Sequence, residues 1–149
     1  MSELTSRITD DVKVAMRSKD KARLGVLRLI TAAIKQREVD ERIELNDDQV
    51  LAILEKMVKQ RKDSVTAFEK AGRDELVQQE VFEISIIQEF LPEQLSDTEV
   101  STAITEAIKS TGAESMKDMG KVMGVLKAKL AGRADMGQVS QIIKKRLSD

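Results

Sequence analysis

Eight cations lie within the last thirty-five residues: Lys117, Lys121, Lys127, Lys129, Arg133, Lys144, Lys145 and Arg146. Against them stand three acids, Asp118, Asp135 and Asp149, which leaves a local net charge of +5. Ammonium and guanidinium groups at this density suit a polyanion, and the chemistry they offer is the binding of phosphates. The whole chain carries a formal charge of −1, so everything before Ser115 sums to −6. Lys117 and Lys121 stand four residues apart and Lys144-Lys145-Arg146 come close to the end, so two helices can each present charge. The competing reading is a solvated charged face, the usual fate of lysines on amphipathic helices.

Other chemistries find fewer residues to work with. The 149-residue chain has no cysteine and no histidine, which removes thiolate catalysis, Ser-His triads and zinc sites built on sulfur and imidazole. Acids are abundant, 26 in all, so some pair falls at helical spacing by chance. Most occupy helix starts and polar faces, and general acid–base work needs one group perturbed by burial. No glycine- and serine-rich loop surrounds a serine, and no P-loop or dinucleotide fingerprint occurs. No catalytic residue, metal or cofactor is expected. The three aromatic residues, Phe68, Phe82 and Phe90, fall among other apolar residues at helical spacing, which speaks against a stacking platform for single-stranded bases. Met116, Met119 and Met123 could form an adaptable partner face, but they share the stripe of Val122 and Leu126 and are expected in a core.

Basic residues recur earlier as well, at Lys21, Arg28 and Lys35 and at Lys56, Lys59 and Lys62. Interleaved acids such as Glu38, Asp63 and Glu69 favour weak ion pairs within helices over an RNA footprint. Arg28, between Leu27 and Leu29, is expected to snorkel or to meet a buried carboxylate. Residues 63–92 carry a net −5 and repel RNA, so any RNA surface must be one-sided.

The elements that position these residues read as helices. There is one proline, Pro92, and no sustained β-branched alternation, so the expected fold is all-α with short joints. Leu4, Ile8, Val12 and Ala15 mark a first amphipathic helix to about residue 19, and Asp20 caps a second running to Glu38. Asn46 and Gln49 form a capping box for a third, stopped by Gly72. A fourth, with Leu76, Val81, Ile84, Ile87 and Leu91, runs from Asp74 towards Pro92. Ser96-Asp-Thr-Glu99 opens a fifth that closes at Gly112. Ser115-Met-Lys-Asp118 opens a sixth from Met116 to a stop at Gly132, and Asp135 caps the last, with Gln138 at its third position. Gly132 and Gly137 bracket Arg133-Ala-Asp135 in a turn whose following helix could offer free N–H groups to phosphate, or simply be capped by Asp135. The predicted organisation is a helical domain over 1–91, a linker at 92–95 and a three-helix domain over 96–149. No apolar run is long enough to span a membrane and no signal peptide precedes the first helix, so a cytoplasmic location is expected.

The motifs Met116-Lys-Asp-Met-Gly-Lys-Val-Met-Gly124 and Gly132-Arg-Ala-Asp135, with Val139 and a basic-apolar final helix, resemble the tail domain shared by GatB and the small YqeY proteins. GatB is the B subunit of the glutamine-dependent amidotransferase that acts on mischarged tRNA. Upstream, Val58-Lys-Gln-Arg-Lys62, Phe68-Glu-Lys-Ala-Gly-Arg73 and Phe90-Leu-Pro-Glu-Gln-Leu95 resemble the YqeY amino-terminal half. The family pattern has glycine directly after the tail aspartate, whereas Met136 stands there in this chain.

This resemblance implies a four-helix amino-terminal bundle followed by a three-helix tail, and a tail that contacts tRNA. Arg133 and Lys121 carry over first because they lie inside the matched strings. The expected function is that of a non-catalytic accessory protein of tRNA metabolism. Its tail binds tRNA or another structured RNA by backbone and shape, while the bundle contacts a protein. The alternative is an adaptor whose tail docks on a translation factor or enzyme without touching RNA. A carbon–nitrogen ligase label, with glutamine as amido donor, would be inherited from GatB, because the matched part is the tail and not the catalytic cradle.

Overall fold

The computed structural model describes residues 1–130 and 133–148, which are helical and without strands. The elements are α1 (Glu3–Arg17), α2 (Lys21–Glu41), α3 (Asp47–Lys70), α4 (Asp74–Gln88), α5 (Asp97–Thr111), a 3-10 turn (Met116–Asp118), α6 (Met119–Leu130) and α7 (Met136–Ser148). They divide into two compact units, Met1–Leu91 and Pro92–Asp149. Residues 92–95 begin the second unit, where Leu95 packs on the core and its N–H donates to the Arg133 carbonyl at 2.9 Å.

Local chemistry sets the helix starts. An unpaired N–H in the first turn is satisfied by a side-chain oxygen just before it. Ser2, Asp20, Asn46 and Ser96 each play this part, accepting from Thr5, Arg23, Gln49 and Glu99. Asn46–Gln49 and Ser96–Glu99 close reciprocal boxes. Left-handed residues end four segments: Gly72 (φ 68°), Gly112 (φ 65°) and, without glycine, Lys19 (φ 60°) and Arg42 (φ 55°). The second helix runs past Glu38 to Glu41, and the Glu38 carboxylate accepts from Leu45 N–H at 3.0 Å to fold the joint back. The fourth stops at Gln88, short of Pro92, because Phe90 and Leu91 close tight turns onto Ile87 and Gln88. The segment after Ser115 starts as a 3-10 turn and becomes α-helical only from Met119. The stop expected at Gly132 lies outside the described residues.

In the first unit, Ile8, Leu27, Ile30, Val50, Leu54 and Ile87 are fully buried and bring all four helices to one core. A half-buried ion pair, Arg61 to Glu83 at 3.3 Å, ties α3 to α4. The carboxyl end of α4 is held by Arg7, which donates to the Glu89 carbonyl at 3.0 Å and lies 5.0 Å above the Phe90 ring. Arg23 meets the Glu89 carboxylate at 2.7 Å, and that hydrogen bond raises the Arg23 pKa above its ordinary value.

Arg28 meets no carboxylate among the described residues: it is exposed, as a snorkelling guanidinium would be, and reaches the Met16 sulfur at 3.7 Å. Two expectations fail here. Val81 is half exposed and not part of the core stripe. Phe82 is also exposed, at 37%. A period of 3.6 places Val81 away from the side of α4 that carries Glu83, Ile86 and Ile87, and Phe82 at the margin of that side, one turn before Ile86.

In the second unit Ile104, Val122, Leu126, Val139 and Ile143 are buried together. Met119 and Met123 pack against that core, whereas Met116 stays exposed in the 3-10 turn. Among the described residues no helix is long and apolar enough to cross a membrane.

Candidate nucleic-acid interface

Burying Val122, Leu126 and Leu130 turns the opposite side of α6 to solvent. A period of 3.6 then places Lys117, Gly120, Lys121 and Gly124 along one open stripe. All four are exposed, and a Cβ added at Gly120 or Gly124 meets nothing within 4 Å. Lys127 and Lys129 follow, both exposed; α7 buries Val139, Ile143 and Leu147 and exposes Lys144 and Lys145. No ion pair holds these six lysines among the described residues. They are available to an external anion.

The two arginines of the predicted set are occupied differently. Arg146 points back to α5, donating to the Thr105 hydroxyl at 2.8 Å and the Ser101 hydroxyl at 2.7 Å. This fork links the last helix to the first of its unit. Arg133 donates through Nε to the Glu93 carbonyl at 3.3 Å, and its own carbonyl accepts from Leu95. Both are half-buried positioning groups. Neither role is visible in spacing, because the partners are about 40 residues away in sequence.

Acids near the stripe are committed to backbone. The Asp118 carboxylate accepts from Glu114 N–H at 3.0 Å and Ser115 N–H at 3.4 Å. These bonds hold its pKa below the ordinary value, with Lys121 adding to the effect. Glu99 is lowered in the same way by the Ser96 N–H and hydroxyl. Asp135 accepts from Gly137 N–H at 2.9 Å, the second residue of α7 and not the third. An incoming phosphate at this helix start would have to displace a carboxylate. No group of three acids that could hold a metal occurs among the described residues.

Two further features were not among the residues expected at the site. Gly120 in the first turn of α6 and Gly124 in its middle each cost up to about 1 kcal/mol relative to alanine, and that cost was the available signal. The Ser101 and Thr105 hydroxyls carried none.

The chain matches the model of the family described as Yqey-like protein over residues 5–147. Its relatives include proteins named "Altered inheritance of mitochondria protein 41, mitochondrial". That of Lachancea thermotolerans is 32% identical over 123 residues, 78% of this chain and 66% of the relative. That of Eremothecium gossypii is 36% identical over 91 residues, 60% of this chain and 50% of the relative. In Saccharomyces cerevisiae strain YJM789 the identity is 28% over 125 residues, 80% of this chain and 68% of the relative. The chain thus spans from half to about two thirds of the length of these relatives. With nearly every described helix inside the matched span, the chain belongs to the Yqey-like protein family.

Proposed function

We propose that the second unit is a GatB/YqeY-type tail that binds tRNA or another structured RNA through its phosphate backbone, in a protein that performs no chemistry of its own. The observation that carries this reading is the exposed stripe that runs from the 3-10 turn into α6, where Lys117 and Lys121 alternate with Gly120 and Gly124, two glycines that leave open space. A surface without Cβ atoms lets a sugar–phosphate chain approach the helix closely, and the adjacent ammonium groups supply the attraction. Lys127, Lys129, Lys144 and Lys145 extend it. Arg133 and Arg146 serve by shaping the unit. The nearby carboxylates act as helix caps, so we assign the chain no amidotransferase step. The first unit, whose residues 63–92 are acidic, is left for a protein contact. In this proposal the chain acts in the cytoplasm, whereas the fungal relatives are named as mitochondrial.

The second reading, a tail that docks on a translation-related protein, is favoured by Ile142, which stands exposed one turn before Lys145. Salt separates the two. Phosphate binding weakens steeply with ionic strength, by a slope of roughly 0.7–0.9 per neutralised phosphate. Bulk tRNA binding by the full chain is measured from low to moderate salt, beside the variant carrying Lys117→Glu, Lys121→Glu and Lys144→Glu. The expected outcome is weaker binding and a log–log salt slope shallower by about 2–3. Unchanged tRNA affinity in the triple variant rejects the RNA reading.

A further inference from the structure

The outer face of α4 is an apolar patch in acidic surroundings. Ile86 and Ile87 are buried, while Gln78, Val81, Phe82 and Ser85 form an exposed stripe whose edge, at Phe82, adjoins Ile86 one turn on. Val81 is 50% and Phe82 37% exposed, adjacent and in the middle of the helix. Of the three aromatic rings, Phe90 is buried and Phe68 half-buried, so Phe82 is the ring presented to solvent. Residues 63–92 around it carry a net −5. Glu83 is taken up by Arg61 and Glu89 by Arg23, while at the start of α4 Asp74 is exposed and Glu75, also exposed, only touches the exposed Arg73 at 4.0 Å, a solvent-screened pair worth little.

From this we infer that the outer face of α4 docks a cationic amphipathic helix of a partner protein, with Phe82 and Val81 receiving its apolar stripe and Asp74 and Glu75 its lysines or arginines. The inference gives a surface and a chemistry to the protein contact read for the first unit and rests on that reading. Charge complementarity selects the occupant. RNA is repelled by the acidic segment, and so are anionic membrane surfaces. A second copy using the same face would set Asp74 and Glu75 against a like surface, because a two-fold interface pairs a patch with itself. A helix is the fitting shape because Val81 and Phe82 share an open stripe with Gln78 and Ser85 along α4, and aromatic anchors of this kind dominate helix-on-surface contacts.

The test uses the full, isotopically labelled chain and two synthetic peptides about five helical turns long, one of leucine and lysine and one of leucine and glutamate at matched positions. Expected are saturable binding of the lysine peptide, amide shifts centred on residues 74–89, and affinity lowered at least about tenfold by Phe82→Ser and by Val81→Ser. Asp74→Lys with Glu75→Lys should weaken the same complex and make it less salt-sensitive. Both apolar positions are exposed, and an unchanged amide spectrum away from α4 shows that each variant is folded. The inference is overturned by equal binding of the glutamate peptide, by wild-type affinity in both serine variants, or by shifts confined to the second unit. It is also overturned if the chain self-associates and Phe82→Ser abolishes that association, which would make a second copy the occupant. tRNA affinity is followed in the same samples. Since Phe82 lies outside the lysine stripe, the two readings fail separately.

Discussion

At the scale of single residues, hydrogen bonds that reach only three or four positions along the chain decide much of this protein. Asp118 and Glu99 each accept backbone N–H groups at the start of a segment in the second unit, and both have pKa values below the ordinary carboxylate range. A group with a depressed folded pKa contributes stability that is present above its unfolded pKa and is lost as pH falls through the folded one. Acid titration of thermal stability should therefore show a loss beginning near about pH 4 and continuing below it. Glu99→Gln combined with Asp118→Asn removes the charge and keeps the shape, so the variant should be less stable at neutral pH and flatter across the acid range. A parallel decline in the variant and the native chain would remove these two caps from the account. The same scale holds the residues that spacing could not read. Arg42 takes a left-handed conformation without being glycine, and Arg28 faces solvent although leucines flank it.

At the scale of elements, α6 sets helix propensity against surface. Gly120 and Gly124 weaken a 12-residue helix without relieving any contact, because the space around both is empty. Gly120→Ala with Gly124→Ala should raise the stability of the second unit by about 1–2 kcal/mol in total, read as a higher unfolding temperature. If the stripe lies against RNA, the same variant should bind tRNA more weakly despite its greater stability. A variant that is both more stable and equally good at binding would leave the glycines without a part in recognition. The lysines were legible from sequence because charge on an amphipathic helix is sorted by periodicity. That the glycines share their stripe also follows from spacing, but that nothing packs upon them does not.

At the scale of the whole molecule, the buried residues form two clusters with no member in common, one in Met1–Leu91 and one in Pro92–Asp149. Leu54 and Leu126 are fully buried in the first and second. Truncating either to alanine should cost about 2–5 kcal/mol, and each substitution should act on its own unit. Hydrogen exchange reads this directly: Leu126→Ala should speed exchange in α5 to α7 while leaving α1 to α4 protected, and Leu54→Ala the reverse. Uniform loss of protection in either variant would mean that the two cores unfold as one.

What the amino-acid order determined unaided is the set of helices and most of their ends. Apolar residues every three to four positions, Asp20, Asn46 and Ser96 at their caps, and Gly72 and Gly112 at their stops all act over one or two turns of chain. The exposed lysines belong to that set, since a charged side chain on an amphipathic helix seeks water wherever the helix lies. Only tertiary structure decided that Arg146 is spent on Ser101 and Thr105, that Arg133 is held to Glu93, and that Phe82 and Val81 are left uncovered. The physical reason is range. A cap is chosen by neighbours three residues away, whereas the partner of a guanidinium or the cover over a ring is chosen by whichever helix the packing of the core brings alongside.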